Sequence, residues 1–187
     1  ATAYKPYLVS IVYSLLAALV VAVICIVVAR IVTKEKHKYD KLFEPFILIP
    51  WLLPSTMIAL GLMLTYDEPR MLLADKVLVA TPIILLFAYI IIKIPFSYRM
   101  IRAGFVGLDG NMEEAAQVMG AKPLYTMRKV ILPIIMPIVL SVIVLNFNGL
   151  LSEYDLSVFL YHPSYQPLGI VIKLATDETA TIDAQAM

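Results

Sequence analysis

Few side chains in this 187-residue chain are equipped for chemistry, and they are widely scattered. The two histidines, His37 and His162, are separated by three long apolar runs and lie in connections that these runs place on opposite sides, so they cannot share a metal ion. Cys25 is the only cysteine and sits inside an apolar run, which excludes a disulfide framework and reads as a small buried hydrophobe. Glu153 and Asp155 could suggest a carboxylate pair, but they follow the last apolar run and read as a polar rim or a solvated helix end. Lys93, the one lysine well inside an apolar run, lies close enough to Arg99 to be read as snorkelling toward that end. No G-x-x-x-x-G-K-[ST] loop is present to cradle ATP phosphates. The sequence therefore predicts no catalytic residue, no metal site and no cofactor bound by the chain itself.

What remains is a stretch built for contact, "EEAAQVMGAKPLYTMRKVILP", residues 113–133. Asp109 or Asn111 can cap a helix whose first turn holds Glu113 and Glu114, where the helix dipole favours negative charge. Ala115 and Ala116 are strong helix formers with little bulk, and Gly120 stands where a left-handed residue would end the helix. Pro123 suits the first position of a second helix in which Leu124, Met127 and Val130 recur at helical spacing. The spacing predicts a helix, a tight turn and a helix. Such a unit could lie on a membrane surface, but its small residues suit the close approach of another protein.

The elements that must position this unit are membrane helices. Hydrophobic residues make up 61% of the chain, far above soluble usage. Four runs of roughly 20 residues or more qualify as spans: about 8–32, 43–64, 77–98 and 130–151. They lack the alternation of a barrel strand, so the fold class is an all-α, polytopic membrane helix bundle. Lys34, Lys36, Lys38 and Lys41 crowd the first connection, and Arg99, Arg102, Lys122, Arg128 and Lys129 the third, which predicts that both are cytoplasmic. The second connection and the segment 152–187 are predicted to face outward, and the unit spanning 103–129 to lie in the cytoplasm. Pro45, Pro50 and Pro54 crowd the second span, and "PWLLP" at 50–54 predicts a bend through Pro50, Trp51 and Pro54 that helps line a pathway. The net charge of +1 gives no reason to expect nucleic acid as a partner.

"EAAQVMG", then nine residues, then "VILP" resembles the EAA loop of the permease subunits of binding-protein-dependent ABC importers of type I, E-A-A-x3-G-x9-I-x-L-P. The match falls on Glu114, Ala115, Ala116, Gly120, Leu132 and Pro133, with Val130 in the isoleucine position. "IPFSYRMIRAGFVGLDGNMEEAA" and "LIPWLLPSTMIALGLML" are similar to the family's lead into the loop and to its second core helix. The resemblance implies that the loop forms coupling helices that insert into a cytoplasmic ATPase, with Glu114 as the anionic contact, Ala115 and Ala116 as the close-approach surface, Gly120 as the turn and Pro133 leading into the fourth span. It implies ATP and Mg on that partner, an extracytoplasmic substrate-binding protein, a second permease half and a bacterial cytoplasmic membrane. The family core has five helices, so the last is expected to be missing here. The natural polypeptide is expected to continue, as a single-length chain or as the second half of a double-length one.

The tail "LSEYDLSVFLYHPSYQPLGIVI" is similar to permeases for ferric iron and for polyamines, sulfate and phosphonates, and implies ferric iron first. The competing readings are an ion channel or secondary transporter with a fortuitous loop, and a membrane-embedded enzyme. Both need intramembrane ionisable groups or a catalytic constellation, which the spans largely lack.

Overall fold

A computed structural model describes residues 4–34, 40–67, 78, 79 and 81–185. The lysine-rich connection 35–39, with His37, and the second connection from 68 to 77 lie outside the described residues. Among those described, the regular elements are all helices: α1 (Lys5–Lys34), α2 (Asp40–Leu52), α3 (Ser55–Tyr66), α4 (Pro82–Val106), α5 (Gly110–Val118), α6 (Pro123–Thr126), a π-helical turn (Met127–Ile131), α7 (Leu132–Leu151), α8 (Ser157–Leu160) and α9 (Leu168–Gln185). Three helical stretches are long and apolar enough to cross a membrane, Lys5–Lys34, Pro82–Val106 and Pro123–Leu151, and the bent pair α2 and α3 makes a fourth if counted as one span.

Helix α1 packs through a stripe of small side chains, with Ala17, Ala18, Val21, Ala22, Cys25 and Ala29 all buried. Small residues let helices approach closely where lipid offers no hydrophobic drive. Leu15, Leu16, Leu19 and Val23, on its other face, are exposed to what would be lipid. One cluster gathers Val21, Cys25 and Ala29 with Tyr98, Ile101 and Phe105 of α4 and Ile135 and Val139 of α7. A second gathers Ala17, Ala59 of α3, Ile84, Leu85 and Tyr89 of α4, and Leu156 and Leu160 around α8. The Tyr89 hydroxyl and Ser157 Oγ, 2.7 Å apart, tie α8 to α4.

The predicted second span is not one helix but two, meeting at 105°. Pro54 has no N–H to continue α2, and its ring disfavours a helical Leu53. Pro54 itself is extended (φ −57°, ψ 144°). Its carbonyl then accepts from the N–H groups of Met57 (3.0 Å) and Ile58 (3.2 Å), and the helix restarts. The pair still traverses the bundle. Glu44 of α2 pairs with Arg102 near one end of α4, whereas the Tyr66 carbonyl at the end of α3 accepts from Leu78 N at 3.2 Å, just before α4 begins. About 20 residues of α4 separate those levels, or ~30 Å.

Other boundaries move too. The third span runs eight residues past its predicted end, because Arg102 is held by Glu44 and the Arg99 guanidinium lies 4.9 Å from the centroid of the Trp51 ring. The segment 103–129 therefore begins inside α4. The second helix of the predicted helix–turn–helix is the start of the fourth span itself, since α6, the π-helical turn and α7 run on without a break. The π turn closes with Leu132 N–H bonding to Met127 O, directly before Pro133, so Pro133 lies within the long helix rather than at its start. The last part of the chain, where the final core helix was expected to be missing, contributes α8 and the 18-residue α9, the latter too polar to count among the candidate spans. Leu168 N–H donates to Ser10 Oγ at 2.8 Å and pins the start of α9 to α1.

Candidate functional sites

Two regions hold the residues singled out by sequence. The first is the elbow formed by α5 and α6. Asp109 caps α5, its side chain accepting from Asn111 N at 3.0 Å. At the other end Gly120 has φ +84°, the left-handed conformation that only glycine adopts without cost. Gly120 N–H bonds to Gln117 O (2.8 Å) and Ala121 N–H to Ala116 O (3.0 Å), the paired bonds of a Schellman termination. Lys122 is extended and Pro123 opens α6, so the chain turns sharply and heads back into the bundle.

The elbow has an inner and an outer side. On the inner side Ala116 is only 4% exposed, so this alanine packs on its own chain rather than forming part of a free surface. Glu113 accepts from Arg30 Nη2 at 2.6 Å and lies 3.2 Å from Lys34 Nζ. Arg30 and Lys34 are one turn apart on α1 and grip the first turn of α5. The Arg30 hydrogen bond, seconded by Lys34, holds the Glu113 carboxyl below its ordinary range. On the outer side Glu114, Ala115 and Gly120 are exposed. So are large apolar side chains: Val118 is 88% exposed, Met119 81% and Leu124 80%. Val130 and Leu132 are half-buried and Pro133 is exposed. A cavity of about 800 Å³ between the elbow and the bundle touches Arg30, Lys34, Glu113, Glu114 and Val130.

The second region is the break between α2 and α3. A cavity of about 410 Å³ there is lined by Pro50, Trp51 and Ser55 from the break, Lys93 from α4, Asn146 from α7, and Glu153. Pro54 turns the chain but does not line the cavity, and Asp155 is exposed outside it. Lys93 does not snorkel toward Arg99. Its Nζ points the other way along the bundle, to within 3.0 Å of where a Cβ on Gly149 would stand, and the missing side chain at Gly149 leaves room for it. Burial pushes the Glu153 carboxyl above its ordinary range, and the charge of Lys93 pulls it part of the way back. Asn146 is buried and oriented by donating to Ser97 Oγ at 2.7 Å. Ser97 in turn donates to the Lys93 carbonyl at 2.7 Å.

The sequence brought out Pro50, Trp51 and Glu153 separately; the fold brings them together with two residues it did not assign, Lys93 and Asn146. An ionisable group near the middle of a span was the available signal. Glu113 was likewise seen only as a favourable first-turn charge, although Arg30 and Lys34 stand at a helical spacing. Among the described residues no three His, Cys, Asp or Glu side chains converge as metal ligands. His162 is spent on a local turn, its Nδ1 accepting from Ser164 N at 3.0 Å.

The family model for the binding-protein-dependent transport system inner membrane component matches residues 22–185. The chain is 33% identical over 170 residues to a probable ABC transporter permease, y4fN, of Sinorhizobium fredii, covering 91% of this chain and 30% of that protein. It is 25% identical over 167 residues to a putative 2-aminoethylphosphonate transport system permease, PhnV, of Salmonella paratyphi A, covering 89% of this chain and 61% of the relative. It is 27% identical over 146 residues to a probable sulfate transport system permease, cysT, of Prototheca wickerhamii, covering 75% and 57%. The chain thus spans less than two thirds of the length of each. The family match takes in the elbow, the broken span and α9 alike: this integral membrane chain belongs to the binding-protein-dependent transport system inner membrane components, the permeases of ABC importers.

Proposed function

We infer that this chain forms part of the substrate pathway of an ABC importer and that the α5–α6 elbow is where a cytoplasmic ATPase subunit docks. The observation that carries this reading is the elbow's two-sidedness. Glu113 and Ala116 fasten it to the bundle, while Val118, Met119 and Leu124 stand exposed around Ala115 and Gly120. Exposed apolar patches rimmed by polar residues mark interaction sites. Because the elbow continues directly into the span Pro123–Leu151, a push on it is delivered to a helix of the pathway rather than absorbed in a loop. ATP and Mg belong to the ATPase, a binding protein delivers substrate to the opposite face, a second permease half completes the pathway, and the bacterial cytoplasmic membrane is the setting. The basic residues Arg30, Lys34, Arg102, Lys122 and Arg128 at the elbow's end favour that end as cytoplasmic.

For the substrate, the names of the relatives favour a phosphonate or sulfate over ferric iron. The ammonium of Lys93 in the cavity at the break also opposes a bare metal cation. The test of the docking reading uses the full-length permease with its ATPase. Glu114→Lys reverses an exposed charge without disturbing the helix. Gly120→Val has open space around it but forces a β-branched residue into the left-handed region, at a cost of about 1–2 kcal/mol. Both variants are expected to lose ATPase co-purification and uptake while the membrane part keeps its thermal midpoint. Normal ATPase binding and uptake in both folded variants would replace this reading with a membrane-surface helix.

A further inference from the structure

The cavity at the break between α2 and α3 contains a cation, Lys93, that makes no close ion pair among the described residues. Lys93 lies eleven residues after Pro82 and thirteen before Val106, near the middle of its span. Among the described residues no carboxylate comes within ion-pair distance of its Nζ. An ionisable group placed there is costly unless it is paired or serves a pathway. Its surroundings are those of a binding pocket rather than a packing accident. Gly149 supplies no side chain, and the ammonium takes up the room that one would fill, beside the cavity that Lys93 lines. Asn146 is buried and donates to Ser97, which itself donates to the Lys93 backbone carbonyl, so a polar chain anchored on α4 orients the Asn146 amide beside the cavity. Trp51 forms an apolar wall. At about 410 Å³ the cavity has the size of a small-ligand site.

The charges define what fits. A cation would meet the Lys93 ammonium, which disfavours metal ions and polyamines. A small oxyanion would pair with it through charge-assisted hydrogen bonds. Glu153 lines the same cavity and its charge acts on Lys93 from beyond ion-pair distance, so one cation and one carboxylate face a common space without closing into a contact pair. That arrangement complements a ligand carrying both charges.

We propose that this cavity is a substrate site for a small zwitterionic oxyanion, with the anionic head on Lys93, the amino group toward Glu153 and Trp51 as the wall. The inference rests on the importer reading and names the substrate chemistry of its pathway.

Trp51, the single tryptophan of this sequence, supplies the readout. The full-length permease in nanodiscs is titrated with 2-aminoethylphosphonate, and the emission of Trp51 is taken as the difference between wild type and Trp51→Phe. A saturable change at millimolar concentration or below is expected. Lys93→Met should raise the half-saturating concentration by about tenfold or more, and Lys93→Arg should restore it to within about threefold. Glu153→Gln should weaken 2-aminoethylphosphonate but leave a parallel titration with inorganic phosphate unchanged, because phosphate has no amino group to lose. No saturable change in wild type, or a Lys93→Met titration that superimposes on it, would overturn the site. A loss at Glu153→Gln that is equal for both probes would overturn the zwitterion assignment. ATPase co-purification with the same wild-type sample reports on the importer reading separately: a wild type that captures the ATPase yet shows no titration defeats this inference alone.

Discussion

Arg30 and Lys34 at the end of α1 and Lys93 in the middle of α4 belong to one bundle but meet opposite surroundings. The first two converge on Glu113, with Arg30 and Glu113 only 17% and 21% exposed, and their charge is spent on holding α5 against the bundle. Lys93 faces a cavity in which, among the described residues, no carboxylate comes within ion-pair distance and Glu153 acts on it only from further off. A charge satisfied within the chain reports on architecture. One left open beside a cavity in a span points to something that arrives from outside. The distinction separates a fastening from a site, although both use the same residue types.

The comparison predicts stability effects of opposite sign. The largest is at Lys93. Replacing it with Leu removes a charge that has no close ion-pair partner from a span and should stabilise the permease by about 1–3 kcal/mol in thermal melts, with loss of substrate binding. A destabilised Lys93→Leu would mean that the ammonium is paired after all, and the contrast would fail. Arg30→Leu should do the reverse, lowering stability by about 1 kcal/mol and increasing proteolysis near Gly110, because Glu113 loses its main partner.

A smaller effect is expected from pH. The folded state holds the Glu113 carboxyl below its ordinary value of 4.5, so its contribution is fully present above that pH and is lost as pH falls through the depressed folded value. Amide exchange in α5 should rise over that acid range in wild type and be flat in Glu113→Gln. Glu153 has the opposite sign: burial raises its carboxyl pKa, so ionisation works against the fold as pH climbs through the raised value. The smallest effect is at α9, where Lys173 and Asp177 form an exposed pair at 3.1 Å; Lys173→Ala should leave the thermal midpoint unchanged. A measurable drop there would show that exposed pairs matter in this protein as much as the Arg30–Glu113 contact does.

How far the sequence foretold these regions follows from what each depends on. The elbow was legible because its turns rest on local backbone chemistry: Asp109 as cap, Gly120 at positive φ and Pro123 at a first helical position each act within a few residues. The identity of the spans was legible from length and apolarity. The sharpness of the break was not, since Pro50 and Pro54 signal a bend, whereas the observed 105° depends on where α2 and α3 pack along α4. Lys93 was misplaced for a similar reason. Snorkelling toward Arg99 is the favoured path on an isolated helix, but Gly149 on α7 opens a different one, and that packing between two spans has no local signature. Ala116 shows the same limit: its type suits close approach, and only the fold tells which partner it approaches.

The central claim is that the outer side of the elbow meets an ATPase, and site-specific crosslinking tests it most directly. A photoreactive residue is introduced singly at Val118, Leu124 and Ala116 of the full-length permease in membranes containing its ATPase. The account predicts crosslinks to the ATPase subunit from Val118 and Leu124 and none from the buried Ala116. Adducts to lipid from Val118 and Leu124, with no ATPase crosslink, would contradict it.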